Sequence, residues 1–470
     1  MTDAPSRQSL QNLALAPRMN MVAVAMLLAG LFAGTLASTA AQGTVGSTAR
    51  PERPPNYKHF MFGVFIDSTE EILTVPLTKV FSDFLTHGIE FACIGQRNYY
   101  PLAREKGLNA FAKANGVHFI CNLFLPAPYD GSYSDDQLRR LIKEQVGAVN
   151  ALPDSDVVVG WRIGDEIEST YHDEGGAALE ELKATKETRD QLQLKRARAQ
   201  RNFQRLSALI RELDPTRRVI VNHCQMPDDQ WMDLHEDEAM SSTGVTGIYN
   251  SYRVRNQLAN ARRLGFGNYI LVNIAMMCPP KTEDLRWYGY REPVNQAVLN
   301  SRSIAQHMQD YTEIAYTEGA AGICYFIYWA GGANYEPYTL TGADGGDYQG
   351  KWEAVRKAAG NIRQWEGAPS CAIISPPRQT WVTAPFRLSV MAGASAEDPV
   401  AKVTADYSLD GARSWTPLPE VRTPPYNFSL DGGMLKTTPC TVLVRARAIN
   451  THGPSLWDVV ELRVKQRIIL

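Results

Sequence analysis

No Cys-x-x-Cys pair occurs among the seven cysteines of this 470-residue chain. Without that spacing, and with an odd count, neither a disulfide framework nor a structural zinc site is expected. Five of the seven, Cys93, Cys121, Cys224, Cys278 and Cys324, fall in or just beyond apolar runs and read as buried free thiols. Cys371 and Cys440, near the end of the chain, could pair. An excess of either charge is also missing. The 48 basic and 50 acidic residues leave a formal net charge of −2, which gives no reason to expect nucleic acid or an anionic membrane as a partner. No phosphate-binding loop and no Gly-x-Ser-x-Gly elbow appears, and no His-x-His lies on the first apolar run. Nucleotide hydrolysis, serine esterase chemistry and metal-dependent hydrolysis all lose their usual signatures, and no cofactor or metal is implied.

What is present begins with a targeting segment. The apolar run from Met21 to Leu36 follows Arg18 and is short for a membrane span. Small residues follow at Ser38, Ala40 and Ala41, as a signal-peptidase site requires. Residues 1–41 are therefore expected to be a signal peptide, with export from the cytoplasm (secreted or periplasmic) and no membrane span in the mature chain. An uncleaved anchor is the alternative. Residues 42–57 form a Pro/Gly/Thr linker without periodicity.

From residue 58 to 366 apolar runs alternate with helical patterns. The runs are HFMFGVFID, IEFACIGQ, VHFICNLFL, VVVGWRIGDE, RVIVNHC, VTGIYNSY, YILVNIAMM and GICYFIYWA. Continuous apolar strands, each followed by a helix, are parallel strands covered on their outer side. Eight of them close a (β/α)8 TIM barrel. An open doubly wound sheet would need a glycine-rich loop after the first strand, where this chain has DSTEEILTVP. Residues 372–470 change texture to short alternating runs with turns such as LDGARSW, the pattern of an all-β immunoglobulin-like sandwich. Trp381, Trp415 and Trp457 there are expected to pack a core or an edge. The GADGG stretch after strand 8 lacks calcium-loop spacing and reads as a mobile loop.

A barrel of this kind carries its active site at the C-terminal ends of its strands. Strand alternation sorts the candidates. On strand 4, Gly160, Arg162, Gly164 and Glu166 share one parity, and Trp161, Ile163 and Asp165 the other. The bulky set should face the helices and the small and polar set the axis. Glu166 is then expected in the mouth, with Asp165 supporting it. Asp67 ends strand 1, Gln96 and Arg97 end strand 2, and Asn122 lies on strand 3. Asn222 or His223 comes from strand 5, Tyr249 from strand 6, Asn273 from strand 7 and Trp329 from strand 8.

An exported (β/α)8 barrel with a Glu closing strand 4 resembles glycoside hydrolase clan A. The resemblance spans about residues 58–366 and rests on the architecture, IGDEIE at strand 4 and YFIYWAGG at strand 8. It implies that Glu166 is a general acid/base, that Trp329 is a sugar platform and that the partner is a carbohydrate. Two departures stand out. Asp165 occupies a place where Asn is usual, and strand 7 has no carboxylate. The second carboxylate is then Asp67 across the mouth or Glu283 in the following loop, and sugar binding without cleavage is the alternative function. Asn122, Asn222, His223, Tyr249 and Asn273 would bind hydroxyls or stack on the sugar. The sugar, the linkage and the oligomeric state are left open.

Overall fold

A computed structural model of the chain describes residues 59–66, 75–123, 133–164, 186–224, 238–245, 258–259, 269–274, 303–329, 339–342, 344–435 and 440–465. Eight parallel strands close a barrel in sequence order: β1 (Met61–Phe65), β2 (Phe91–Ile94), β3 (His118–Asn122), β4 (Val158–Arg162), β5 (Arg218–Cys224), β6 (Glu238–Val245), β7 (Tyr269–Ile274) and β8 (Gly322–Phe326). Closure is made by β1 and β8, with Gly63 opposite Cys324. Helices α1 (Leu77–His87), α2 (Gln96–Lys106), α3 (Leu108–Asn115), α4 (Asp135–Asn150), α5 (Lys186–Leu213), α6 (Ile304–Thr317) and α7 (Lys351–Trp365) lie between and after the strands.

Local chemistry sets many of the helix ends. Ser134 with Gln137, and Ser303 with Gln306, form reciprocal capping boxes that satisfy orphan N–H groups at the starts of α4 and α6. Gly88 and Gly116 close α1 and α3 in the left-handed region. Three elements differ from the sequence reading. Gln96 and Arg97 open α2 instead of ending β2. Gly107, at φ +73°, splits the expected second helix into α2 and α3. The sixth strand is Glu238–Val245, upstream of the expected VTGIYNSY.

The barrel has two apolar layers, and alternation divides them. Phe65, Phe91, Cys93, Ile120, Ile220, Cys324 and Ile327 fill the interior. Phe62, Val64, Phe119, Trp161, Val219, Val221, Ile323 and Tyr325 belong to the larger core under the helices. Gly63 faces the axis because the Phe91 ring fills its space: a Cβ there would lie 2.1 Å from the ring. At the base of the barrel the last helix is tied to the first strand. Arg363 of α7 bonds Glu366 at 2.7 Å, Glu90 at 3.0 Å and the Phe60 carbonyl at 3.0 Å. Glu366 in turn accepts the Phe60 N–H at 2.8 Å. Burial alone would depress His59, but the Glu366 and Glu90 carboxylates hold its proton and raise it to about 9.

Two β-sheets follow α7 and share an apolar core built on Leu388, Val403, Phe428, Val444 and Leu462. One holds β9 (Ser370–Ser375), β11 (Phe386–Gly393) and β14 (Tyr426–Leu430). The other holds β10 (Trp381–Thr383), β12 (Lys402–Ser408), β13 (Thr416–Pro417), β15 (Cys440–Asn450), β16 (Gly453–Pro454) and β17 (Asp458–Lys465). Cys371 on β9 and Cys440 on β15, expected as a possible pair, are free thiols. The second sheet meets the barrel directly. Leu85 of α1 packs with Ala412, Leu443 and Val459, flanked by Trp415 and Trp457. Asn115, at the end of α3, donates to the Ala412 carbonyl at 2.8 Å and accepts from Trp415 Nε1 at 2.9 Å. Arg356 of α7 bonds Asp458 at 3.1 Å. Among the described residues no helix is long and apolar enough to cross a membrane.

Candidate active site at the barrel mouth

The register of the barrel settles which residues share the axis-facing rows. Ile120 pairs with Gly160, and Arg162 with Ile220. Because Ile120 and Ile220 are interior residues, Gly160 and Arg162 lie with them on the axis side. Trp161 and Ile163 take the other side, under the helices. Trp161 is held there by its Nε1–H, 2.8 Å from Asp214, which also binds Arg217 at 2.7 Å. Burial alone would raise Asp214, but hydrogen bonds from Thr216, Arg217 and Trp161 keep its carboxyl below its ordinary range.

Arg162 is the unexpected member of the mouth. It is 4% exposed, its Nε donates to Asn122 Oδ1 at 2.5 Å, and its guanidinium lies 4.7 Å from the centre of the Phe65 ring. A guanidinium removed from water this far is costly without partners. It joins the ends of β1, β3 and β4 into one polar cluster. Its parity was legible in the sequence, where it belongs to the axis-facing set with Gly160.

Asn222 is 2% exposed and in register with Met240, on the same side of β5 as Ile220. His223 is in backbone register with Ser241 of β6. Asn273 lies on β7, in backbone register with Tyr325 of β8.

Alternation runs out at the end of β4. Gly164 has φ +83°, a left-handed conformation that ends the extended backbone. Parity therefore does not carry from Arg162 to Glu166. Asp67, Asp165, Glu166, Tyr249 and Glu283 lie outside the described residues.

Past β8, Trp329 is half-buried and forms a β-bridge with Thr341. Main-chain bonds link described residues of the glycine-rich stretch that follows. The Gly342 N–H reaches the Gly346 carbonyl at 2.9 Å, and Asp347 caps the start of α7 through the Trp352 N–H at 2.8 Å. Lys351, fully buried, donates to the Thr339 carbonyl at 3.0 Å. Burial pushes it down to about 7, opposed by the Asp347 carboxylate. Among the described residues no group of three His, Cys, Asp or Glu side chains could hold a metal ion.

No protein-family model and no curated protein matches the sequence. Solved structures do resemble the chain. A β-glucuronidase of Bacteroides uniformis is 13% identical over 87% of this chain and 46% of its own, with a TM-score of 0.42. The present chain thus spans about half the length of that enzyme. The endo-β-1,4-mannanase of Thermotoga petrophila is 11% identical over 88% of this chain and 99% of its own, at 0.39. The GH53 catalytic domain of Ignisphaera aggregans is 13% identical over 66% and 98%, at 0.44. The likeness of these three structures to the present chain is one of fold.

Proposed function

We propose that the chain is a glycoside hydrolase of the exported type, acting on a polysaccharide or oligosaccharide. The observation that carries the reading is the polar cluster on the axis side of the barrel mouth, where Asn122, Arg162 and Asn222 replace the apolar filling found deeper in. Buried polar groups are costly without partners, and ligand sites set a few convergent polar groups among apolar walls. In this reading Glu166, two residues beyond the Gly164 turn, protonates the leaving oxygen. Asp67 or Glu283 supplies the base or nucleophile. Trp329 offers its ring to a sugar face, and the amides of Asn122 and Asn222 take hydroxyls.

A screen of polysaccharides and oligosaccharides for released reducing ends tests the activity. Glu166→Gln then tests the assignment, because the amide keeps the shape and loses the proton. Wild-type turnover by that variant would remove strand 4 as the source of the acid. A second reading, sugar binding without cleavage, is favoured by one feature: β7 carries no carboxylate. Binding without release of reducing ends, on a substrate retained by the wild type, would select it. Export belongs to the same proposal, and a mature N-terminus near Ala41 or Gln42, read by N-terminal sequencing from the native host, is its expected sign.

A further inference from the structure

The segment that follows β8 is bonded twice over to the start of α7, and Trp329 stands on it. The Thr341 N–H reaches the Tyr328 carbonyl at 3.0 Å, and Thr341 bridges to Trp329 itself. Thr339 Oγ1 donates within reach of two carbonyls, that of Tyr328 at 3.1 Å and that of Thr341 at 2.7 Å. Two side chains of α7 hold this segment from behind. Lys351 Nζ donates to the Thr339 carbonyl at 3.0 Å and sits 4.7 Å from the centre of the Tyr348 ring. Trp352 Nε1 donates to Thr341 Oγ1 at 2.9 Å.

A lysine fully out of water is an expensive way to close a turn that backbone bonds already close. The turn needs neither residue for its own hydrogen bonds: Gly342 to Gly346, Gly345 to Gly342 and Tyr348 to Leu340 are all main-chain. What Lys351 and Trp352 add is a fixed distance between α7 and the two threonines. That distance sets where the strand continuation carrying Trp329 lies against the barrel rim. We propose that Lys351 and Trp352 are positioning residues for Trp329, holding the Thr339–Thr341 segment so that the indole is presented at a fixed place on the rim. The proposal rests on the reading of the mouth as a sugar site, in which Trp329 is the platform.

The test uses the full chain labelled with 5-fluorotryptophan, with the Trp329 resonance assigned by its loss in Trp329→Phe. Trp381, half-exposed on the edge strand β10, provides a distant reference. In Lys351→Met and in Trp352→Phe the Trp329 resonance should shift or broaden while that of Trp381 stays in place. With a confirmed oligosaccharide substrate, KM should rise about five-fold and kcat hold within about two-fold, the effect of one lost positioning hydrogen bond. A Trp329 resonance unchanged in both variants overturns the proposal. Trp352→Phe keeps an aromatic side chain and removes the indole N–H, so it decides the matter if the lysine variant fails to fold. The fluorine comparison is made on the free protein. A wild-type Trp329 resonance that ignores every oligosaccharide would instead count against the sugar-site reading alone.

Discussion

The two ends of the barrel use buried charge differently. At the base, Arg363 faces Glu366 and Glu90, with His59 against the same carboxylates, so that charge answers charge. At the mouth, Arg162 meets an amide oxygen and an aromatic face, and Lys351 meets a carbonyl and an aromatic face. A matched cluster stabilises by being left alone, since removing one member strands the others. The mouth cations differ in that the contacts described for them include neutral oxygens and aromatic rings, with the Asp347 carboxylate also acting on Lys351.

That contrast can be broken most forcefully at the base. Arg363→Met should cost about 3–5 kcal/mol of stability, the usual loss when one partner of a buried ion pair is removed. Chemical denaturation would measure it, and activity per folded molecule should not change. Glu166→Gln is expected to do the reverse: a loss of at least about a hundredfold in hydrolysis, with the denaturation midpoint unmoved. Between them lies the junction of the two domains. Asn115→Ala leaves the Trp415 N–H and the Ala412 carbonyl without their partner, at about 1–3 kcal/mol. Calorimetry should show the loss without a change in KM.

The smallest expected effects are in pH, and they have opposite signs. His87 stacks on Trp352 at 4.6 Å, and burial lowers it to about 3, helped by the positive charges of Arg356, Lys79 and Arg378. Its folded form is neutral, so its contribution is complete above the unfolded value of about 6.5 and is lost as pH falls toward 3. His59 is raised instead, to about 9, so its contribution is complete below about 6.5 and is lost as pH rises through 9. Melting temperatures across that range should show both slopes. His87→Phe should flatten the acid side, and His59→Gln the alkaline side.

Much of this architecture was legible because burial imposes period. Seven of the eight strands overlap their apolar runs, and the change of texture after residue 370 matches the change from barrel to sheets. Strand β6 was hidden because Glu-Ala-Met-Ser-Ser-Thr-Gly-Val has no apolar run, and its pairing with β5 and β7 is made by the backbone. Arg162 had the right parity but no motif to mark it. The roles of Trp415 and Trp457 were half legible: they do pack, but against the barrel, with Arg445 stacked 4.1 and 4.2 Å from their ring centres. Sequence alternation finds a buried face without naming what covers it.

The bond between the Phe60 N–H and Glu366 joins residues 306 positions apart. During synthesis at about 5–20 residues per second, roughly 15–60 s separate the appearance of those two residues. For most of that interval the first strand has no eighth strand to pair with, because Gly322–Phe326 is made late in the chain. The barrel therefore closes late, and the chain must be kept from aggregating while it waits.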